Sequence, residues 1–283
     1  MVKTKLQGLF RLFRFELPFS AGVCVILGEL LALGNIPTGK EMTLGFLSVF
    51  LISATSLILN DYFDLESDRI NAPERPLPAG LVTKRDVMLL SWVVTALGFI
   101  AAALLSFQAL LVSILAWAVG FLYNWHFKKT GLLGNLMVSF SVGMTFIFGG
   151  IAVGRPFETV VWFFGVLALL INAGEEIAAD AMDVEGDRKA GSRSLAVLFG
   201  QENAIRISAA IFFLVIVITF LPFLLGWMEW LYVLPFLFMD GMILFSVIKL
   251  LDSKMVNRRM YIRRIYLSAS VAILFVIVIR LLR

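Results

Sequence analysis

Long apolar stretches separated by short polar joints dominate the chain. Nine of them are expected to be helices, over roughly 17–35, 42–60, 86–106, 108–126, 134–153, 158–175, 204–222, 230–250 and 263–281. Each approaches the ~20 apolar residues that a helix needs to cross a ~30 Å hydrocarbon core. Inside lipid only a helix or a closed barrel satisfies every backbone amide. Barrel strands alternate apolar and polar residues over about ten positions, and these stretches neither alternate nor stop so soon. The predicted fold class is therefore all-α, a polytopic membrane helical bundle of about nine transmembrane helices forming one domain over residues 1–283. The third and fourth stretches meet around Ser106–Gln108 and are expected to form a tight antiparallel pair. Ahead of the first stretch, MVKTKLQGLFRLFRF is basic and amphipathic. It reads as a surface helix with a cytoplasmic N-terminus; no small-residue cleavage site follows a short core, which argues against a signal peptide.

Composition agrees with this pattern. The chain is 60% hydrophobic and 16% charged, with a mean hydropathy of +0.93, whereas soluble domains are about a quarter charged. One cysteine, Cys24, and one histidine, His126, exclude a disulfide framework and a thiolate or imidazole metal cage. With the N-terminus inside, the inner segments hold twenty of the 24 Lys and Arg residues, against Lys40, Arg155, Arg280 and Arg283 outside. That asymmetry is the signature of topology in a cell membrane, so the net charge of +4 gives no reason to expect a nucleic-acid partner.

Two acidic segments stand out on the inner side. NDYFDLESDRINAPERPLPAG (60–80) follows the second stretch, and GEEIAADAMDVEGDRKAGSRS (174–194) follows the sixth. Twelve of the chain's 20 acids fall in 61–86 and 175–187, about 120 residues apart, which hints at an internal duplication. Asn60, Asp64 and Asp68 are spaced i, i+4, i+8; Glu176, Asp180, Asp183 and Asp187 recur every three or four residues. On a helix each set forms one stripe, and unrelieved the stripe repels itself. A divalent cation reverses that sign, and Mg²⁺ commonly uses one or two carboxylates together with substrate phosphates. Arg69 and Arg75 follow the first set, Arg188, Lys189 and Arg193 follow the second, and Lys128 and Lys129 close the fourth stretch; they offer planar forks and point charges to phosphate oxygens. Either cluster alone reads equally well as solvated loop acids, with Asp68 or Asp86 capping a helix and the cations serving as topology signals. Two matched clusters on one side favour a diphosphate held through Mg²⁺.

At these residues the sequence resembles the UbiA superfamily of intramembrane prenyltransferases. NDYFDLESD is similar to the family's first aspartate-rich motif, and RINAPERPLPAG to its Arg-Pro-bearing tail. DAMDVEGDRKAGSRSLAVLFG resembles the second motif, and LYNWHFKKTGLLGN the Tyr- and Lys-bearing segment after the fourth span. The resemblance covers essentially the whole chain. It implies that an allylic isoprenoid diphosphate binds through Mg²⁺, with Asn60, Asp64, Asp183 and Asp187 nearest the metal. It also implies catalytic roles for Asp64, Asp68, Asp183 and Asp187, with Asp61, Asp68 and Asp180 in support. Arg69, Arg75, Lys128, Lys129 and Lys189 would contact phosphate, with Tyr123 nearby. Glu176 stands where many members with aromatic acceptors carry Asp, a position tied to acceptor handling.

The implied activity is prenyl transfer through an allyl cation in a dry apolar pocket, with the active site facing the cytoplasm. Phe140, Phe146 and Phe148 are candidate wall residues, although ordinary helix packing or lipid contact explains each one taken singly better. The motifs look most like those of archaeal members, whose acceptor is geranylgeranylglyceryl phosphate in ether-lipid synthesis. An aromatic acceptor of the 4-hydroxybenzoate or naphthoate type is the alternative. Arg14 and the group Arg258, Arg259, Arg263 and Arg264 are available for the acceptor's phosphate. From other classes, a cation channel or transporter would be expected to put its charges near the midplane. A CDP-alcohol phosphotransferase would need an arginine after Asp240-Gly241, where MILF stands instead. His126 reads as an interfacial structural residue, Gly150–Gly154 as a small-residue packing motif, and Glu29 and Asp240 as acids that face the bundle or the interface.

Overall fold

A computed structural model describes residues 2–255 and 257–282, with the side chains of Val2 and Lys3 left aside. Arg283, expected on the outer side, and the Lys3 side chain fall outside the described residues. The described residues are helical throughout, with no strand. Nine helices among them are long and apolar enough to cross a membrane. The chain is thus a multi-pass membrane protein. Leu89, Trp92, Leu97, Ile100 and Leu104 along one span, and Leu231, Leu234, Phe238 and Phe245 along another, are exposed. A water-facing surface this apolar would aggregate; lipid is its natural solvent.

The surface helix α1 (Val2–Leu12) leads into α2 (Glu16–Leu33), the first span. Next come α3 (Gly39–Phe63), the short α4 (Leu65–Asn71), α5 (Lys84–Leu105) and α6 (Phe107–Trp125). Helices α7 (Leu132–Ala152) and α8 (Thr159–Met182) are the fifth and sixth spans, and short helices α9 (Val184–Lys189) and α10 (Leu195–Phe199) follow. The remaining spans are α11 with α12 (Gln201–Ile218, Leu221–Leu224), α13 (Val233–Leu251) and α14 (Arg258–Leu281). The tight pair expected at Ser106 is present: Ser106 alone separates α5 from α6, and its hydroxyl accepts from the Ala109 amide at 3.0 Å. Capping boxes open α3 (Thr38 with Glu41) and α5 (Thr83 with Asp86). Asp86 therefore caps, as one of its two readings had it.

Two boundaries move. The sixth span was expected to stop near residue 175, yet α8 runs to Met182, so Glu175, Glu176 and Asp180 sit in its last turns and not in a loop. The ninth begins at Arg258, not 263. In the ninth, the exposed Arg259 and Arg263 prolong an apolar helix into the interface, where long side chains keep their heads in water.

Helix α2 packs on α3 and α7, α7 on α8, α8 on α11, and α13 on α14, while α6 bridges α3 and α7; contact between α2 and α14 is slight. Helices α2 and α7 cross closely. A Cβ on Gly28 would lie 2.3 Å from the Phe146 carbonyl, and one on Gly149 2.3 Å from the Val25 carbonyl, so only glycine admits this backbone contact. The expected Gly150–Gly154 packing motif is corrected here: Gly149 carries the crossing, while Gly154 sits in the turn after α7 with φ +71° and open space around it.

Candidate active site

Both acid motifs are built the same way. Helix α3 ends at Phe63 and α8 at Met182, and in each case one aspartate, Asp64 or Asp183, occupies the break before a short polar helix. Their φ/ψ values are −88°/3° and −119°/17°, outside the regular helix. The predicted i, i+4, i+8 stripes are therefore interrupted at their centre, although Asp68 N–H still reaches the Asp64 carbonyl at 2.8 Å, and Asp187 N–H the Asp183 carbonyl at 2.9 Å.

Around the first motif the protein supplies its own cations. Asp61 is 1% exposed, ion-paired to Arg14 and 3.8 Å from the Arg75 guanidinium. Both Asp68 carboxylate oxygens accept from Arg75 Nη1 at 2.6 Å. Burial works against the charge of Arg75, but its hydrogen bonds to Asp68 and the charges of Asp68, Asp61 and Asp64 prevail and hold it above the ordinary guanidinium value. Asp64 is ion-paired to Lys128, in the short helical turn after α6. Arg14 adopts φ +44°, the one positive φ outside glycine among the described residues. This costs roughly 1–3 kcal/mol. It separates α1 from α2 and turns the guanidinium toward Asp61, so the strain sits in a functional place. Arg69 is drawn instead to Glu66, 3.0 Å away on an exposed surface, and is not brought to the other expected phosphate ligands.

Around the second motif cations are scarce. Asp183 is paired with Arg259, from the start of α14. Asp180 accepts a neutral hydrogen bond from Asn135 at 2.8 Å. One oxygen each of Glu175 and Asp187 is buried without a partner. Lys129, Arg188, Lys189 and Arg193 are exposed and make no ion pair among the described residues. The Arg193 amide donates to the Lys129 carbonyl at 3.0 Å. This strap joins the tail of the second motif to the segment before α7, and it runs against Gly131 (φ +73°), where a Cβ would meet the Arg193 carbonyl at 2.0 Å.

A cavity of about 770 Å³ begins between the motifs, at Asn60, Tyr123, Glu175 and Glu176, and descends into the bundle. Its walls come from α2, α3, α6, α7, α8, α13 and α14 and are mostly apolar. On α8 it spans Phe164 to Glu176, about 18 Å at ~1.5 Å per residue. Phe146 and Phe148 line it as expected; Phe140 does not, and Phe164 does. Leu17, Phe19, Tyr266 and Leu274 line it and are also exposed, so it opens sideways to lipid where α2 and α14 hardly touch. Tyr123 lies within electrostatic reach of Asp64 on one side and of Glu176 and Asp180 on the other.

Sequence reasoning missed three residues here. Asn124 accepts from Asn60 Nδ2 at 2.9 Å and is itself held by the Ser56 and Gly120 carbonyls, leaving the Asn60 carbonyl oxygen free to ligate. Asn135 and Glu175 are the others. For the two asparagines a lone polar residue within an apolar run was the available signal, because intramembrane polar groups default to function. Glu29 and Asp240 are buried in the bundle, as expected.

The donors suit Mg²⁺: they are hard carboxylate and amide oxygens, one of them, on Asp187, buried and unpartnered. Among the described residues no three acids, histidines or cysteines converge into a ready cage. That fits an ion which completes its shell with substrate phosphates and water.

Residues 21–276 match the family model described as the UbiA prenyltransferase family. The chain is 39% identical over 202 residues to digeranylgeranylglyceryl phosphate synthase of Thermococcus gammatolerans, covering 71% of this chain and 72% of that one. It is similar at TM-score 0.85 and 26% identity, over 99% of both chains, to a solved structure reported as giving structural and mechanistic insights into the biosynthesis of digeranylgeranylglyceryl phosphate synthase in membranes. It also shares its fold, at TM-score 0.69 and 20% identity over 95% of this chain and 97% of the other, with a UbiA homolog from Archaeoglobus fulgidus solved with DMAPP and Mg²⁺. A helical membrane bundle with paired acid motifs over an apolar cavity is the architecture of a membrane prenyltransferase. The chain belongs to the UbiA prenyltransferase family, which sets aside the channel and CDP-alcohol phosphotransferase readings.

Proposed function

We propose that this single-domain chain transfers a geranylgeranyl group from its diphosphate to geranylgeranylglyceryl phosphate, in a Mg²⁺-dependent reaction that makes an ether bond in archaeal-type membrane lipid synthesis. The observation that carries the reading is the cavity: its mouth lies between two acid motifs, and its apolar body opens sideways to lipid between α2 and α14. A membrane-dissolved donor and acceptor can both enter such a space. The activity attributed to the Thermococcus gammatolerans relative supports the choice of acceptor. The excess of Lys and Arg on the motif side supports a cytoplasmic active site at the cell membrane.

Asn60, Asp64, Asp183 and Asp187 would hold Mg²⁺, which when bound supplies the positive charge that stabilises a departing diphosphate. Lys128, Lys129 and Lys189 offer further charge to the phosphate oxygens. Asp61 and Asp68 act through the arginines, fixing Arg14 and Arg75 at the mouth. Asn124 fixes the Asn60 amide, and Asn135 fixes Asp180. As the allylic C–O bond breaks, its electron pair leaves with the diphosphate. The apolar wall keeps water from the remaining cation, and the faces of Phe146, Phe148 and Phe164 stabilise its charge. The acceptor oxygen then forms the new C–O bond and gives up its proton.

The test is prenyl transfer by purified protein in lipid vesicles, with radiolabelled geranylgeranyl diphosphate and either geranylgeranylglyceryl phosphate or 4-hydroxybenzoate, in Mg²⁺ or EDTA. Mg²⁺-dependent ether product with the glyceryl phosphate alone is the expected result. Product with the aromatic acid alone would overturn the acceptor and favour quinone-type chemistry.

A further inference from the structure

Alkylation of an alcohol yields a protonated ether, so its proton must pass to a base. Among the described residues only two carboxylates, Glu175 and Glu176, line the cavity. Their surroundings differ. Glu176 belongs to the stripe that continues to Asp180, Asp183 and Asp187, and it shares the mouth with Tyr123, Asp64 and Asp180. It therefore faces the diphosphate. Glu175 is one residue, about 100° of helix, further round. It shares the cavity-lining face of α8 with Leu167, Ala168, Ile171 and Asn172, at positions i−8, i−7, i−4 and i−3. Its Oε1 is buried and accepts no hydrogen bond. No ion pair is made by Glu175 among the described residues, whereas Asp61, Asp64, Asp68 and Asp183 each have an arginine or lysine. A buried carboxylate oxygen kept free of partners costs stability, and such groups persist where a substrate completes them.

Resting on the prenyl-transfer reading above, we propose that Glu175 is the catalytic base: its carboxylate takes the proton of the acceptor hydroxyl as that oxygen bonds to the allylic carbon. The bookkeeping closes within the site. The C–O bond to diphosphate breaks with its electron pair on the leaving group. The acceptor oxygen's lone pair forms the ether bond, the O–H bond breaks, and the proton rests on Glu175 until the open cavity mouth returns it to water.

The experiment compares Glu175→Gln with the wild type in single-turnover transfer, alongside the affinity for a non-reactive geranylgeranyl diphosphate analogue in Mg²⁺. Gln keeps the shape and loses the proton acceptor. Transfer is expected to fall ~10²-fold or more, with donor affinity within about threefold. Glu175→Ala with added formate supplies the second readout, and a rate that climbs with formate is expected, which a packing role would not give. Wild-type rates in Glu175→Gln, donor affinity lost in step with transfer, or an alanine variant indifferent to formate would each overturn the assignment. If the wild type transfers only to an aromatic acid, the acceptor reading fails by itself, and the same Gln and formate comparison with that acid still decides Glu175.

Discussion

The two acid motifs have the same plan and opposite electrostatics. Each ends a span, breaks at one aspartate and continues in a short helix. In the first, Asp61, Asp64 and Asp68 are all matched by Arg14, Lys128 and Arg75 from the chain itself. In the second, Asp180 has only a neutral asparagine, Glu175 and Asp187 each keep a buried oxygen unpartnered, and the one matched acid meets an exposed arginine. The first motif's acids are thus matched within the chain before any ligand arrives, while the second keeps carboxylate oxygens open to an arriving cation. Similar sequence density of acids conceals this division, because it depends on what each acid meets in space.

The largest expected effect comes from the acids assigned to Mg²⁺. Asp64→Asn and Asp187→Asn should each lower the transfer rate by ~10³-fold, since a group that stabilises leaving charge in a dry site is worth roughly that much; steady-state kinetics in vesicles measures it. Next is Arg75→Ala, which strands the buried Asp68 and weakens the hold on Asp61. A loss of about 3–5 kcal/mol is expected, seen as a thermal midpoint lower by at least ~6 °C. Asp68→Asn combined with Arg75→Met should recover much of it, and a double-mutant cycle reads the coupling. Third, Asn124→Ala should weaken Mg²⁺-dependent donor binding by about 10- to 100-fold, as loss of a group that orients a metal ligand commonly does. The smallest effect sharpens the contrast most. Without Mg²⁺, Asp187→Asn should leave the thermal midpoint unchanged or slightly raised, because it removes a carboxylate that has no cation to lose. A large fall there would mean that Asp187 already has a structural partner.

The spans and both motifs were legible in sequence for a physical reason. Lipid leaves a spanning helix no choice but a long apolar run, and acids beside such runs are conspicuous. The partners were not legible. Arg259 meets Asp183 across 76 residues of chain, and Lys128 meets Asp64 across 64, distances that no local pattern encodes. Arg69 and Arg75 look alike in sequence, yet one turns to surface Glu66 and the other to buried Asp68. The breaks at Asp64 and Asp183 were hidden because the i, i+4 spacing reads as unbroken helix on either side. The left-handed Arg14 gave no local sign either, since arginine is a sound helix former.

The most direct test of this division is calorimetric binding of a non-reactive geranylgeranyl diphosphate analogue, with and without Mg²⁺, to the wild type and to Asp187→Asn. The account predicts that Mg²⁺ tightens wild-type binding by ~100-fold or more and that Asp187→Asn loses nearly all of this gain. Equal wild-type affinity in Mg²⁺ and EDTA would contradict it, because the lysines and arginines would then hold the diphosphate unaided and the second motif would need no arriving cation.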